Sequence, residues 1–288
     1  MDAELKPRHR TLTTNGVRLH AVEAGPEDGP PLILLHGFPE LWYGWRRQIE
    51  PLAAAGFHVI VPDQRGYNLS DKPKKISAYN LDTLARDVVG LIDESGAARA
   101  CVAGHDWGGA IGWWLGVKHP ERIEKLALLN IPHPAVMRRT LRKSFRQLGK
   151  SSYMVCFQLP WLPERTFRAH NFAYAVKALQ ATSRPGTFSD EDVERYRAAW
   201  SQPGAVHSML NWYRAALRVQ PEPAASLRVR VPTLLLWGTQ DRFLGREMAQ
   251  PSIDLCDDGR LVLVEEASHW IQHEEPERVS RELIDFFA

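Results

Sequence analysis

Ala103-Gly104-His105-Asp106-Trp107-Gly108-Gly109 is the stretch whose reading decides the fold. Arg99-Ala100-Cys101-Val102 before it reads as a short buried strand. Ala110-Ile111-Gly112-Trp113-Trp114-Leu115-Gly116 after it reads as the opening turns of a helix. Small residues at Gly104, Gly108 and Gly109 around a central Asp106 fit the nucleophile elbow, a strand-to-helix turn too sharp for side chains at the flanking positions. The elbow holds its central residue in a strained conformation and lifts that side chain clear of the backbone. Where an esterase places serine, this chain places aspartate. A carboxylate displayed in this way is suited to attack a saturated carbon and form an ester with the enzyme. Taken alone, the heptapeptide also fits a polar turn after a core strand, and the rest of the chain decides between the two.

On the N-terminal side, residues 10–23 alternate around Asn15-Gly16, a two-residue hairpin signal, so the sheet opens with an antiparallel pair. Leu32-Ile33-Leu34-Leu35 is a continuous apolar run that suits a strand covered on both faces. A helix over 45–54, a strand over 57–61 and a helix over 81–94 follow, and beyond the elbow a strand over 125–130. Alternation of this kind predicts an α/β fold with a mostly parallel, doubly wound sheet. From Ala135 to Pro223 no buried-strand run occurs, and the residues are charged, aromatic and helix-patterned. The expected organisation is a core of residues 1–134 and 224–288 with an inserted helical cap, 135–223. The α/β pattern resumes at Pro232-Thr233-Leu234-Leu235-Leu236-Trp237-Gly238. It ends with a helix from Arg246, a strand over 261–264 and a helix over 277–287.

The 288 residues suffice for a sizeable core, and a formal net charge of +2 with interspersed signs argues against nucleic acid as the main partner. Cys101, Cys156 and Cys256 are scattered and have no metal-ligand spacing, which fits a reducing compartment. Residues 1–10 are polar, and no apolar run approaches the ~18 residues of a membrane span. The expectation is a cytoplasmic protein with no membrane partner, present as a monomer or homodimer.

In open α/β sheets, function gathers beyond the carboxyl ends of the strands. Four loops arrive there. The first carries Phe38, whose N–H faces that of Trp107 to make an oxyanion hole, worth ~3–4 kcal/mol per donor. The elbow carries Asp106, Gly238-Thr239-Gln240-Asp241 carries an acid, and Glu265-Glu266-Ala267-Ser268-His269-Trp270 carries a histidine. Nucleophile, acid, histidine is the chain order of such hydrolases. Asp241 as a turn aspartate, or His269 as a surface histidine, is the blander reading of each alone, but their placement together favours a triad. His36 is read as holding its loop by hydrogen bonds, Asp63 and Arg65 as a structural pair, and His105 as pointing away from the site.

These motifs together resemble an α/β-hydrolase fold of the epoxide hydrolase family over nearly the whole chain. His36-Gly37-Phe38-Pro39-Glu40 is similar to that family's oxyanion-hole motif, where the Phe-Pro bond is usually cis, and residues 104–109 to its nucleophile motif. The cap stretches Phe157-Gln158-Leu159-Pro160-Trp161-Leu162-Pro163-Glu164 and Ser201-Gln202-Pro203-Gly204-Ala205 resemble a membrane-anchored animal branch, and the expectation here is a relative without that anchor. The resemblance implies ring-opening tyrosines at Tyr213, in Leu210-Asn211-Trp212-Tyr213-Arg214, and at Tyr153, in Tyr153-Met154-Val155-Cys156-Phe157-Gln158. Cys156 departs from the aromatic often found there. Phenolic hydroxyls suit this work because they donate hydrogen bonds while staying protonated at neutral pH. The implied reaction converts an epoxide and water to a vicinal diol and requires no metal or organic cofactor. The implied partner is a small apolar epoxide contacting Phe38, Trp107, Tyr153 and Tyr213, and the cap aromatics Trp161, Phe167, Phe172, Trp200 and Trp212 point to an apolar substrate. A haloalkane dehalogenase using the same triad is the alternative, and a non-catalytic ligand-binding homologue a more distant one.

Overall fold

A computed structural model describes residues 7–288; the first six residues of the polar stretch 1–10 lie outside the described residues. Eight strands form one sheet: β1 (Arg8–Thr14), β2 (Val17–Ala24), β3 (Pro31–Leu35), β4 (His58–Pro62), β5 (Ala100–His105), β6 (Ile123–Leu129), β7 (Thr233–Gly238) and β8 (Gly259–Val264). Their spatial order is β1-β2-β4-β3-β5-β6-β7-β8. β2 pairs antiparallel with both β1 and β4, and β3 to β8 run parallel. The β1–β2 turn is Asn15-Gly16, both at positive φ, as its hairpin requires.

The continuous apolar runs divide between two cores because successive strand residues point to opposite faces. Leu32, Leu34, Val59, Val61, Leu234 and Leu236 enter one core, closed by helices Arg46–Ala54 and Pro276–Phe287. Ile33, Leu35, Ile60, Val102, Leu235 and Trp237 enter the other, under helices Leu81–Glu94 and Trp107–Lys118. The helix after the elbow therefore begins at Trp107, three residues before the apolar run that signals it. The low helix propensity of Gly108 and Gly109 conceals that first turn.

Between β6 and β7 the described residues form six helices, Pro134–Lys143, Phe145–Lys150, Tyr153–Cys156, Leu162–Thr182, Asp190–Trp200 and Ala205–Arg218, and one isolated β-bridge, Val229 to Cys256. The long one is broken at Ala169, His170, Asn171 and Phe172, whose backbone angles are not helical. This layer is tied to the sheet side by buried polar contacts. The Trp200 indole donates to the Pro39 carbonyl (2.6 Å), the Trp212 indole to that of Arg65 (3.0 Å), and the Tyr196 hydroxyl to Glu40 (2.8 Å).

One structural expectation fails. Asp63 and Arg65 do not pair with each other. Arg65 is drawn to Asp87 on the helix beneath it, at 2.6 and 2.7 Å. Asp63 instead meets the His20 ring at 2.6 Å and accepts from the Trp42 N–H at 3.0 Å and the Asn68 amide at 2.8 Å.

Candidate active site

Asp106 stands between β5 and the following helix at φ 51° and ψ −120°, a conformation costly for a side chain and sustained only by its surroundings. Those surroundings leave no room for alternatives. A Cβ on Gly108 would fall onto the Leu35 carbonyl, and one on Gly37 would lie 2.5 Å from the Asp106 Cβ. The close approach of Gly37 brings the next residue into contact: the Phe38 N–H donates to Asp106 Oδ1 at 2.9 Å. The Phe38–Pro39 bond is cis. Trp107 opens the helix, so its N–H lacks an intrahelical partner.

The loop after β8 brings His269 Nε2 to 3.7 Å from Asp106 Oδ2, while its Nδ1 lies 2.8 Å from Asp241 Oδ2. Asp241 is buried and well furnished with donors: the N–H groups of Phe243 and Leu244 bind Oδ1 at 2.7 and 2.9 Å, and the Asn130 amide binds Oδ2 at 2.8 Å. Burial pushes the Asp241 carboxyl up, but the His269 ring and these donors outweigh it and hold it below the usual carboxylate range. Burial likewise works against a charged His269. The Asp241 carboxylate, and after it that of Asp106, overcome this and raise the imidazole to about 9.

A cavity of about 430 Å³ lies over Asp106, with Phe38, Tyr153, Tyr213 and His269 in its wall. Its remaining wall is largely apolar, with Phe157, Phe167, Leu179, Phe243 and Trp270 contributing. Tyr213 is 3% exposed and is packed edge-on against Phe38, Trp107 and Phe157, with ring centroids 5.0–5.1 Å apart. Burial first, and the nearby Asp106 charge after it, raise the Tyr153 hydroxyl; burial, Tyr153 and Asp106 raise that of Tyr213. Both stay protonated across the neutral range. The Trp107 ring stands behind Tyr213 and is absent from the cavity wall. Of Trp161, Phe167, Phe172, Trp200 and Trp212, only Phe167 lines the cavity: Trp200 and Trp212 are buried in the core, and Trp161 is 80% exposed. Cys156 lies in the wall beside Tyr153.

Three groups around the site have no assignment in the sequence reading. Asn130, at φ 45° after β6, donates to Asp241 and accepts from the Gly238 N–H at 2.9 Å, so it joins two strand ends to the acid. Glu40 is fully buried and accepts from Tyr196 and Gln272, with the rings of His105 and His273 at 3.1 and 2.7 Å. His105 reaches from there to the His269 carbonyl at 2.8 Å, and so faces away from the cavity. Arg214 binds Glu164 at 2.7 and 3.1 Å and the carbonyls of Phe157 and Leu159, fixing the helix that carries Tyr213 to the loop that carries Phe157. An Asn after an apolar strand and an acid inside an apolar motif are visible signals, but their partners come from distant segments.

Comparison with known proteins agrees with this geometry. Residues 30–276 match the family model described as the alpha/beta hydrolase fold. The chain is 49% identical over 275 residues to AB hydrolase superfamily protein YfhM of Bacillus subtilis, covering 96% of each. It is 35% identical over 315 residues to epoxide hydrolase A of Mycobacterium tuberculosis, covering 98% of each. A crystal structure of the Bacillus megaterium epoxide hydrolase with an inhibitor superposes with a TM-score of 0.87 at 31% identity, over 96% of this chain and 99% of that one. This chain belongs to the epoxide hydrolase family of the α/β-hydrolase superfamily.

Proposed function

We propose that the protein hydrolyses epoxides to vicinal diols through a covalent ester on Asp106, with residues 135–223 acting as a cap that supplies the ring-opening tyrosines. The observation that carries this reading is a single cavity in which Asp106, the buried Tyr213 and the half-buried Tyr153 share one apolar wall. Asp106 Oδ1 is already held by the Phe38 N–H, which leaves Oδ2 to attack a ring carbon. The new C–O bond forms as the ring C–O bond breaks. The departing oxygen takes hydrogen bonds from Tyr213 and Tyr153, whose hydroxyls are protonated at neutral pH, and then a proton from one of them.

The product of that step is a hydroxyalkyl ester, and its formation removes the Asp106 charge. One of the carboxylates holding His269 as a cation is then gone, which favours the neutral imidazole needed as a base. His269, oriented by Asp241, takes a proton from water, and the resulting hydroxide attacks the ester carbonyl carbon. The oxyanion forms at Oδ1, between the N–H groups of Phe38 and Trp107. Its collapse expels the diol oxygen, which takes the proton held by His269. The carboxylic acid left on Asp106 returns its proton to the tyrosinate, so that Asp106, His269 and the tyrosine are all regenerated. The test is a parallel assay of small apolar epoxides and of haloalkanes. Diol formation exceeding halide release is expected, and the reverse would transfer the same triad to the dehalogenase reading.

A further inference from the structure

Besides the cavity-wall residues such as Tyr153, the helices and turns between residues 134 and 163 present an outer surface that the reaction does not use. Arg138, Arg139, Arg142, Lys143 and Arg146 are exposed in this stretch, Lys150 turns inward to the Asp241 carbonyl, and the stretch contains no Asp or Glu, although the formal net charge of the chain is only +2. The same ribbon turns its inner side to the fold. Gln147 binds the Phe243 carbonyl, and Tyr153 enters the cavity. Its outer side is apolar in a way unusual for a soluble surface: Phe145 is 92% exposed, Trp161 80%, and Leu148, Val155, Leu159 and Leu162 are exposed with them. Leu159, Leu162 and Tyr174 are exposed and also line the cavity, so the cavity opens among these side chains.

We propose that this face docks on an anionic lipid bilayer, with Phe145 and Leu148 entering the interface and the cations around them meeting lipid headgroups. Basic helices bearing exposed aromatic and leucine side chains bind this way. No helix among the described residues is long and apolar enough to cross a membrane, so the contact is peripheral. A second copy of the chain is a poorer occupant, since a symmetric interface would bring the five exposed cations against their counterparts. In so far as docking delivers substrate, it rests on the epoxide reading: an apolar epoxide dissolved in the bilayer would reach the cavity mouth directly.

The test is co-sedimentation of the intact protein with vesicles of phosphatidylcholine alone or mixed with phosphatidylglycerol. Binding to the anionic vesicles, and weak binding to the neutral ones, is expected. Replacing Arg138, Arg142 and Arg146 together by Gln should weaken it by about a hundredfold, at about fivefold per charge. Phe145→Ser should weaken it as well, while turnover of a water-soluble epoxide stays unchanged in both variants. No binding to anionic vesicles, or equal binding by the triple variant, overturns the proposal. So does a dimer in light scattering that Phe145→Ser dissociates, since that assigns the face to a second copy. Vesicle binding is read without turnover, so this proposal and the epoxide reading fail independently.

Discussion

Replacing Tyr213 by Phe removes one hydroxyl from the cavity wall and leaves the ring. The ring is held by three aromatic neighbours at 5.0–5.1 Å, and its helix by the Arg214 contacts to Glu164 and to the Phe157 and Leu159 carbonyls. None of these needs the hydroxyl, so the fold should lose no more than about 1 kcal/mol. The kinetic effect is of another size. A positioned acid contributes about 10²–10⁴ in rate, which is about 3–5 kcal/mol of barrier. Single-turnover kinetics separates the two steps: ester formation should slow by that factor. Hydrolysis of ester already formed should be unchanged, because Asp241, His269 and the oxyanion donors are untouched. Tyr153→Phe should act on the same step. A Tyr213→Phe variant that forms ester as fast as the parent, at whatever stability, would refute the reasoning.

Asn130→Ala takes a donor from Asp241 and an acceptor from the Gly238 N–H, and places alanine at φ 45°. A stability loss of about 2–3 kcal/mol in urea unfolding is expected, with slower ester hydrolysis. His269 is raised from an ordinary 6.5 to about 9, so the stability it contributes is full below 6.5 and is lost as pH rises through about 9. Urea unfolding followed from about pH 6 to about pH 10 should show this alkaline loss, and Asp241→Asn should flatten it by removing the carboxylate that raises the imidazole.

The sheet was legible because its signals are local. The runs at 32–35 and 233–237 carry their burial in their composition, and the elbow carries its geometry in its glycines. Asp106, Asp241 and His269 lie just beyond strand ends, where their order along the chain and the topology of the sheet together imply a meeting place. Asn130 and Glu40 escape such reading because their significance lies in partners more than 60 residues away, such as Asp241, His105 and Tyr196. The pairing assigned to Asp63 and Arg65 went wrong for the same reason: proximity in sequence was outweighed by His20 and Asp87, brought in by the fold. The cap aromatics show the limit of composition. A tryptophan in the core, one on the surface and a phenylalanine in the cavity wall look alike in a sequence.

The covalent ester is the central claim, and His269→Gln isolates it. Ester formation needs Asp106 and the tyrosines, whereas its hydrolysis needs the base. Intact-protein mass spectrometry after mixing this variant with an accepted epoxide should show a lasting increase equal to the mass of that epoxide, located by peptide mapping on Asp106. Turnover by the variant at the parent rate with no such increase, or an adduct on any other residue, would contradict the account.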